Sequence, residues 1–265
     1  MNNICSPHIN NNSGSCLQLE YLHEIIDEYN KKYPENKISK SGNKKDLWKR
    51  INNTMKNHCP KGNEICWVKK FHSKKDYVIS EVFKPKIPEG KYQWLSTLDI
   101  DNVMKQYMKK YPNFVFIGAI PRDFFNIIHK IGIQNLTHLS KKAEKIGLIF
   151  NTDPHDKSGK HWLAIFIDIK ERSIEHFDSV GKLPIQEIAE FLSQICKNAY
   201  MNLNIRLKKK INIIQHQHEN SECGVYSCYY IIQRLKGRTF EDITENVVPD
   251  EKMNKFRKKI FTKHD

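Results

Sequence analysis

Residues 160–179 read KHWLAIFIDIKERSIEHFDS, and the fold is decided there. The run Leu163-Ala164-Ile165-Phe166-Ile167-Asp168-Ile169 is apolar at nearly every position and bounded by polar residues, the pattern of a strand at 162–169 buried on both faces. A second strand is expected at 173–178. Paired as a hairpin, the two would bring the start of the first, headed by His161, beside the end of the second, closed by Asp178. The residue heading a core strand is held rigidly yet reaches a cleft, as a general base must. A carboxylate beside it would fix the imidazole tautomer and stabilise the imidazolium. Neither residue alone carries weight; their pairing does.

Working outward, apolar runs at 114–118 and 146–150 predict two more strands, and residues 203–214 predict two short ones. Helices are expected at 99–111 with Asp99 near the start, and at 184–201 opening on Pro184 as the first helical residue. The apolar segment 223–235 reads as a helix by its length. Residues 250–262 begin with acids and end with bases, which suits the helix dipole. From Trp94 onward the pattern is α+β, a central sheet flanked by helices. Upstream, residues 17–30 and 46–57 show helical spacing, separated by a Lys/Ser/Gly/Asn stretch at 36–45. Residues 58–93 hold turn residues, the prolines Pro60, Pro85 and Pro88, and only short apolar runs. The reading is a mostly helical, basic N-terminal accessory region at 1–93 and a second domain at 94–265. Residues 1–16, polar and rich in Asn and Ser, are expected to be mobile. No internal repeat is evident.

The strongest chemical feature lies at the junction of the polar loop 215–222 with the helix at 223–235, where the sequence reads Glu222-Cys223-Gly224. A thiol at a helix N-terminus meets the positive end of the macrodipole and unpaired N–H groups, an environment that favours the nucleophilic thiolate. Gly224 lacks a Cβ and would let a substrate carbonyl approach the backbone. The competing reading of Cys223 is a small core residue. Gln217, six positions earlier, could donate its side-chain amide to an oxyanion beside the Cys223 N–H; losing one such donor costs roughly 100- to 1,000-fold in rate. On chemistry alone Gln215 competes for that role, and His216 and His218 crowd the same loop. A zinc site at His58, Cys59, Cys66 and His72 lacks the usual paired-ligand spacing, so no metal is expected.

Composition narrows the class. The chain has 265 residues, 39% hydrophobic, enough for a packed core. Its formal charge of +14, from 44 Lys and Arg against 30 Asp and Glu, favours polyanionic neighbours. A solvated lysine-rich surface explains the same charge without nucleic acid. The seven cysteines show no regular framework, and the start MNNICSPHINNNSGS has neither a basic n-region nor an apolar h-region. No run is long enough to cross a bilayer. A soluble protein with free thiols in a reducing compartment is the expectation.

The order His161-Trp162-Leu163-Ala164-Ile165-Phe166, His176-Phe177-Asp178-Ser179, then Gln217 to Glu222-Cys223-Gly224 resembles the adenain/ubiquitin-like-protease group of cysteine peptidases. The resemblance spans about residues 94–262 and includes the closing helix at Asp250–Lys258. It is nearest to the branch of large DNA viruses, of the African swine fever virus type, that processes polyproteins. Asp178 instead resembles the SUMO-deconjugating branch. The resemblance implies an α+β papain-like cysteine protease fold with His161, Asp178, Gln217 and Cys223 as the catalytic set and no cofactor. It implies cleavage after small residues, Gly-Gly-X or Gly-X, in a tunnel too narrow for side chains. Trp162 matches one of the two tryptophans that clamp a Gly-Gly tail. Trp94-Leu95 resembles the other, but Ser96-Thr97 follow where Asn-Asp is usual, and a core role for Trp94 stays open.

Two functions follow from the resemblance. One is maturation of viral structural precursors in the host cytoplasm or viral factory, with packaging in the virion and nucleic-acid contact through the basic surface. The other is deconjugation of ubiquitin or a ubiquitin-like protein. An acetyltransferase of related architecture usually carries Glu at the third position, which Asp178 is not. A non-catalytic nucleic-acid-binding protein is the remaining alternative. Oligomeric state is not legible in the sequence.

Overall fold

A computed structural model describes residues 4–10, 14–90, 92–123 and 143–264. The chain divides into two compact units, Met1–Ile87 with Lys259–Asp265, and Pro88–Lys258. Parts of the polar N-terminus, residues 1–3 and 11–13, lie outside the described residues.

The second unit is built on a five-stranded mixed sheet ordered β1-β2-β3-β4-β5, with β1 Phe114–Pro121, β2 Lys145–Asn151, β3 Trp162–Asp168, β4 Ser173–Phe177 and β5 Lys208–Ile211. The outer pairs are parallel and the inner pairs antiparallel. β3 is central and buried at every position, as a strand with neighbours on both edges and helices on both faces must be. β3 and β4 form the expected hairpin, with Ala164 opposite Phe177 and Ile165 opposite His176.

Helix α6 (Gln186–Leu203) covers one face, its Ile188, Phe191, Leu192 and Ile195 packing with Leu148, Phe150, Leu163, Ile165 and Ile174. Helices α5 (Thr97–Lys110) and α7 (Cys223–Leu235) lie on the other side. Gly147 makes room there, since a Cβ would stand 2.9 Å from the Phe114 ring and 3.3 Å from Ile231. A buried polar cluster fixes α7 to the sheet. The Glu175 carboxylate accepts from Arg234 Nε at 2.7 Å, Tyr230 OH at 2.5 Å and Ser173 Oγ at 2.7 Å, while the Tyr230 ring stacks on Phe177 at 4.5 Å. Satisfied on both carboxylate oxygens, this cluster specifies one seating of the helix and hence of its first residue, Cys223. Short helices α8 (Phe240–Glu245) and α9 (Asp250–Ile260) complete the chain's order.

The other unit contains α1 (Leu19–Lys32), α2 (Lys44–Thr54), α3 (Glu64–Phe71) and α4 (Lys75–Val82) around a core that includes Leu22, Ile25, Ile51, Trp67 and Val68. Helices α3 and α4 occupy the stretch read as turns and short apolar runs. The side chain of Asn63 accepts from the Cys66 N–H and starts α3.

Four expectations change. Four of the seven cysteines are not free thiols: Cys5 is bonded to Cys16 and Cys59 to Cys66, leaving Cys196, Cys223 and Cys228. The first bond, the Ser6 N–H to Val82 O bond at 2.8 Å and the Lys84 N–H to Ile4 O bond at 2.9 Å pin a start expected to be mobile. Residues 203–214 form one strand, not two. Left-handed Asn204 ends α6, and Asn212 bonds its amide to the carbonyls of Asp178 and Ile214, turning the chain after β5. Finally, α6 begins at Gln186 with Ile185 as its cap, two residues after Pro184.

Candidate active site

Cys223 is the first residue of α7 and 3% exposed. The segment before it is held from several sides. Glu222, the cap residue, accepts from the Ser221 N–H and hydroxyl and from Asn254 Nδ2. Arg257 on α9 donates to the carbonyls of Ser221 and Gln93, and Asp250 accepts the N–H groups of His218 and Glu219. Burial depresses the Arg257 pKa against the opposing pull of Glu222 and Cys223, which places a guanidinium in the electrostatic surroundings of the thiol.

His161 immediately precedes β3, and its carbonyl accepts the Thr152 N–H at 2.9 Å. The loop between β2 and β3 is gathered by Asn151, whose Oδ1 accepts the N–H groups of Asp153 and Lys160. Gly159 is required beside it: φ is +88°, and a Cβ would meet the Asn151 amide at 2.4 Å. His161 Nε2 and Asp178 Oδ1 are 2.7 Å apart. This leaves Nδ1 for Cys223, with which the ring also hydrogen-bonds. Burial alone would lower the His161 pKa; the bonds to Asp178 and Cys223 and their charges outweigh it and raise it to about 9. The ring is therefore poised to be an imidazolium beside a thiol at neutral pH. Asp178 is itself steadied by the Val180 N–H at 2.9 Å.

Gln217 is 3% exposed, whereas Gln215 is exposed and bonds its Nε2 to the Gln217 carbonyl. The Gln217 Oε1 accepts from Ser179 Oγ at 2.7 Å and its Nε2 donates to Glu219 O at 2.7 Å. The other histidines of this region differ in kind. Buried His216 donates Nε2–H to Thr244 O and accepts the Val248 N–H at Nδ1, and burial lowers its pKa despite the first bond, so it is a neutral structural residue. His176 is fully buried, and desolvation presses its pKa down to about 4. His218 is exposed.

The tryptophans expected to contact substrate line one cavity of about 450 Å³, with Asn151, His155 and Gly159 among its walls. Trp94 is 43% exposed; Trp162 is buried and donates its indole N–H to Leu95 O at 2.9 Å. Leu95 also accounts for Gly224, because a Cβ there would stand 3.1 Å from the leucine Cβ. In this structure the open side of Gly224 is occupied by that leucine. Cys59 and Cys66, considered for zinc, are bonded to each other, and among the described residues no three His, Cys, Asp or Glu gather as a metal site.

Asn151, Asn212 and Arg257 are not legible in the sequence as parts of this site, nor is the contact that Ser179 makes. Their contacts run from side chains to groups distant in the chain, and only the placement of Ser179 directly after Asp178 offered a clue. Together these residues assemble a thiol at a helix start, a charged-imidazole partner, a carboxylate behind it and an oriented amide.

Comparison with known proteins places the chain in a family. A family model described as the Ulp1 protease family, C-terminal catalytic domain, matches residues 71–265. The mimivirus protein R355 of Acanthamoeba polyphaga mimivirus, named as a thiol protease, is 29% identical and the match covers 98% of this chain and 93% of that one. The SUMO-1 cysteine protease S273R of African swine fever virus is 29% identical over 68% of this chain and 71% of its own. The crystal structure of the African swine fever virus pS273R protease superposes with a TM-score of 0.74 at 23% identity, covering 99% of this chain and 97% of that one.

Proposed function

The chain belongs to the Ulp1 protease family and is a cysteine peptidase, and from that premise we propose that Cys223, His161, Asp178 and Gln217 hydrolyse peptide bonds after small residues in protein precursors. The observation carrying this reading is the His161 ring, bonded to Asp178 through Nε2 and to Cys223 on its other side.

The Cys223 thiolate attacks the scissile carbonyl carbon, and the electron pair of the C=O bond moves to oxygen. The Cys223 N–H at the start of α7 and the second hydrogen of Gln217 Nε2 receive that charge. Collapse breaks the C–N bond as His161 Nδ1–H protonates the departing amine, leaving a thioester. His161, now neutral, takes a proton from water; the hydroxide adds to the thioester, and Cys223 leaves as thiolate with the imidazolium restored. Asp178 keeps the ring orientation through both halves. No cofactor enters.

Cleavage after glycine is supported by Trp94 and Trp162 lining one cavity, where two indoles can clamp a tail without side chains. The reading assigns catalysis to residues 94–265 and an accessory role to 1–93. It places the enzyme among viral structural polyproteins in the host cytoplasm and packaged in the particle, the +14 charge favouring contact with nucleic acid there. No helix of the described residues is long and apolar enough to cross a membrane.

The second reading, removal of a ubiquitin-like protein, is favoured by Asp178 and by the SUMO-1 protease name of one relative. Against it, Ser96 is engaged in a capping box with Asp99 at the start of α5. Incubation with precursor peptides bearing Gly-Gly-X and with SUMO and ubiquitin C-terminal probes separates the two. Sequencing of the product N-termini should place the cut after Gly-Gly. Probe labelling without precursor cleavage would overturn the first reading.

A further inference from the structure

The motif that ends β4 contains one residue the mechanism above does not use. Ser179 follows Asp178 directly and is 1% exposed. Its hydroxyl donates to Gln217 Oε1 at 2.7 Å, and its carbonyl accepts the backbone N–H groups of both His216 and Gln217 at 2.8 Å. A buried serine thus binds the oxyanion-side residue through side chain and main chain, while its neighbour Asp178 binds the base.

An amide side chain is nearly symmetric in shape, and its two ends have opposite chemistry. Only the NH₂ end stabilises an oxyanion; the C=O end repels it. The carbonyl of Glu219, 2.7 Å from Gln217 Nε2, is an acceptor and requires the nitrogen on its side. The Ser179 hydroxyl can serve either end, but with the nitrogen committed to Glu219 it must donate to Oε1. The two contacts agree on one orientation, and one Nε2 hydrogen remains for substrate. The Ser179 carbonyl adds the register of the loop, and Gly181 (φ +72°) lets the turn press against residues 213–215, where a Cβ would come within 2.9 Å of three backbone atoms.

We propose that Ser179 is a positioning residue for catalysis: it holds the Gln217 amide with its N–H toward the developing oxyanion and couples that amide to the strand end bearing Asp178. This rests on the reading of Gln217 as oxyanion donor.

The test compares Ser179→Ala, Ser179→Thr, Gln217→Ala and the double variant Ser179→Ala/Gln217→Ala in the full chain, with a peptidyl-Gly-Gly aminocoumarin as substrate. Gln217→Ala should lower kcat by about 100-fold or more. Ser179→Ala should lower kcat by about tenfold, the worth of a buried hydrogen bond, with little change in KM. Ser179→Thr, which keeps the hydroxyl, should recover most of the loss. In the Gln217→Ala background the Ser179→Ala change should have no further effect on kcat, because its effect runs through the amide. The alkaline limb of the hydrolysis profile, set by His161, should not move in Ser179→Ala.

Failure separates cleanly. If Gln217→Ala leaves kcat intact, the oxyanion reading falls and this inference with it. If Gln217→Ala is costly but Ser179→Ala is not, only the inference falls. If Ser179→Ala lowers kcat equally in both backgrounds, or shifts the alkaline limb, serine acts on the fold or on Asp178 and the inference is overturned. Loss of kcat that Ser179→Thr fails to recover also counts against it.

Discussion

Replacing Asp178 with Asn removes one charge and leaves an acceptor for the His161 ring, so it isolates what the carboxylate contributes. His161 titrates at about 9 in the folded chain against an ordinary 6.5. That difference corresponds to about 3 kcal/mol in favour of the imidazolium. Burial acts against it, and the bonds and charges of Asp178 and Cys223 together supply it. The His161 side chain is 19% exposed and that of Asp178 4%, so solvent screens the pair weakly. Removing the charge should bring the alkaline limb of kcat/KM down from about 9 by about 1–2 pH units. The folded pKa is raised, so the stabilisation is complete below 6.5 and is lost as pH rises through about 9. The stability gap between the native chain and Asp178→Asn should therefore be widest near about pH 6 and narrow by about 1–3 kcal/mol toward about pH 10. Hydrolysis profiles and urea unfolding at the two ends of this range measure both effects. An alkaline limb that stays at 9, or a stability gap independent of pH, would refute the coupling of Asp178 to the protonation of His161.

Other changes probe the scaffold. Gly181→Ala forces a Cβ against backbone at 2.9 Å with φ at +72°, and should cost about 1–3 kcal/mol in thermal unfolding together with lowered kcat. Glu175→Gln strips the buried Arg234 of its fully buried charge partner; a loss of about 3 kcal/mol in urea is expected, with kcat lowered as the seating of α7 loosens. Trp94→Ala, at a position 43% exposed, should raise KM for Gly-Gly peptides without lowering the melting temperature, whereas Trp162→Ala should also lose about 3 kcal/mol of stability.

The sequence made the hairpin that joins His161 to Asp178 legible because strand geometry is periodic. The pairing of Ala164 with Phe177, continued one step, sets Leu163 opposite Asp178; His161 then shares that face, a diagonal away. Helix α7 was legible from its apolar length, and the thiol at its start from the polar loop before it. What escaped were bonds without a local signature. Ser179 and Gln217 are 38 residues apart, and Ser221 and Arg257 are 36 apart. Nothing in either neighbourhood announces its partner. Cysteine pairing was hidden for the same reason, since an odd count with irregular spacing does not say which thiols meet. The second short strand failed for a local reason. Asn212 offers its side chain to nearby carbonyls, and such bonds compete with a ladder.

The two disulfides give the molecule opposite chemical needs at once. In its proposed role Cys223 attacks only as a thiol or thiolate, and oxidation to the sulfenic acid or beyond would silence it. Cys5–Cys16 and Cys59–Cys66 bind the other unit only while oxidised. The molecule therefore keeps its bridges and a reduced Cys223 together only within a bounded window of redox potential. Cys5, Cys16 and Cys59 are each at most 4% exposed, which slows exchange with small thiols and widens that window from the reducing side. For anyone handling the protein, the strength of the reductant becomes an experimental variable in its own right, to be titrated for the thiol and for the bridges separately.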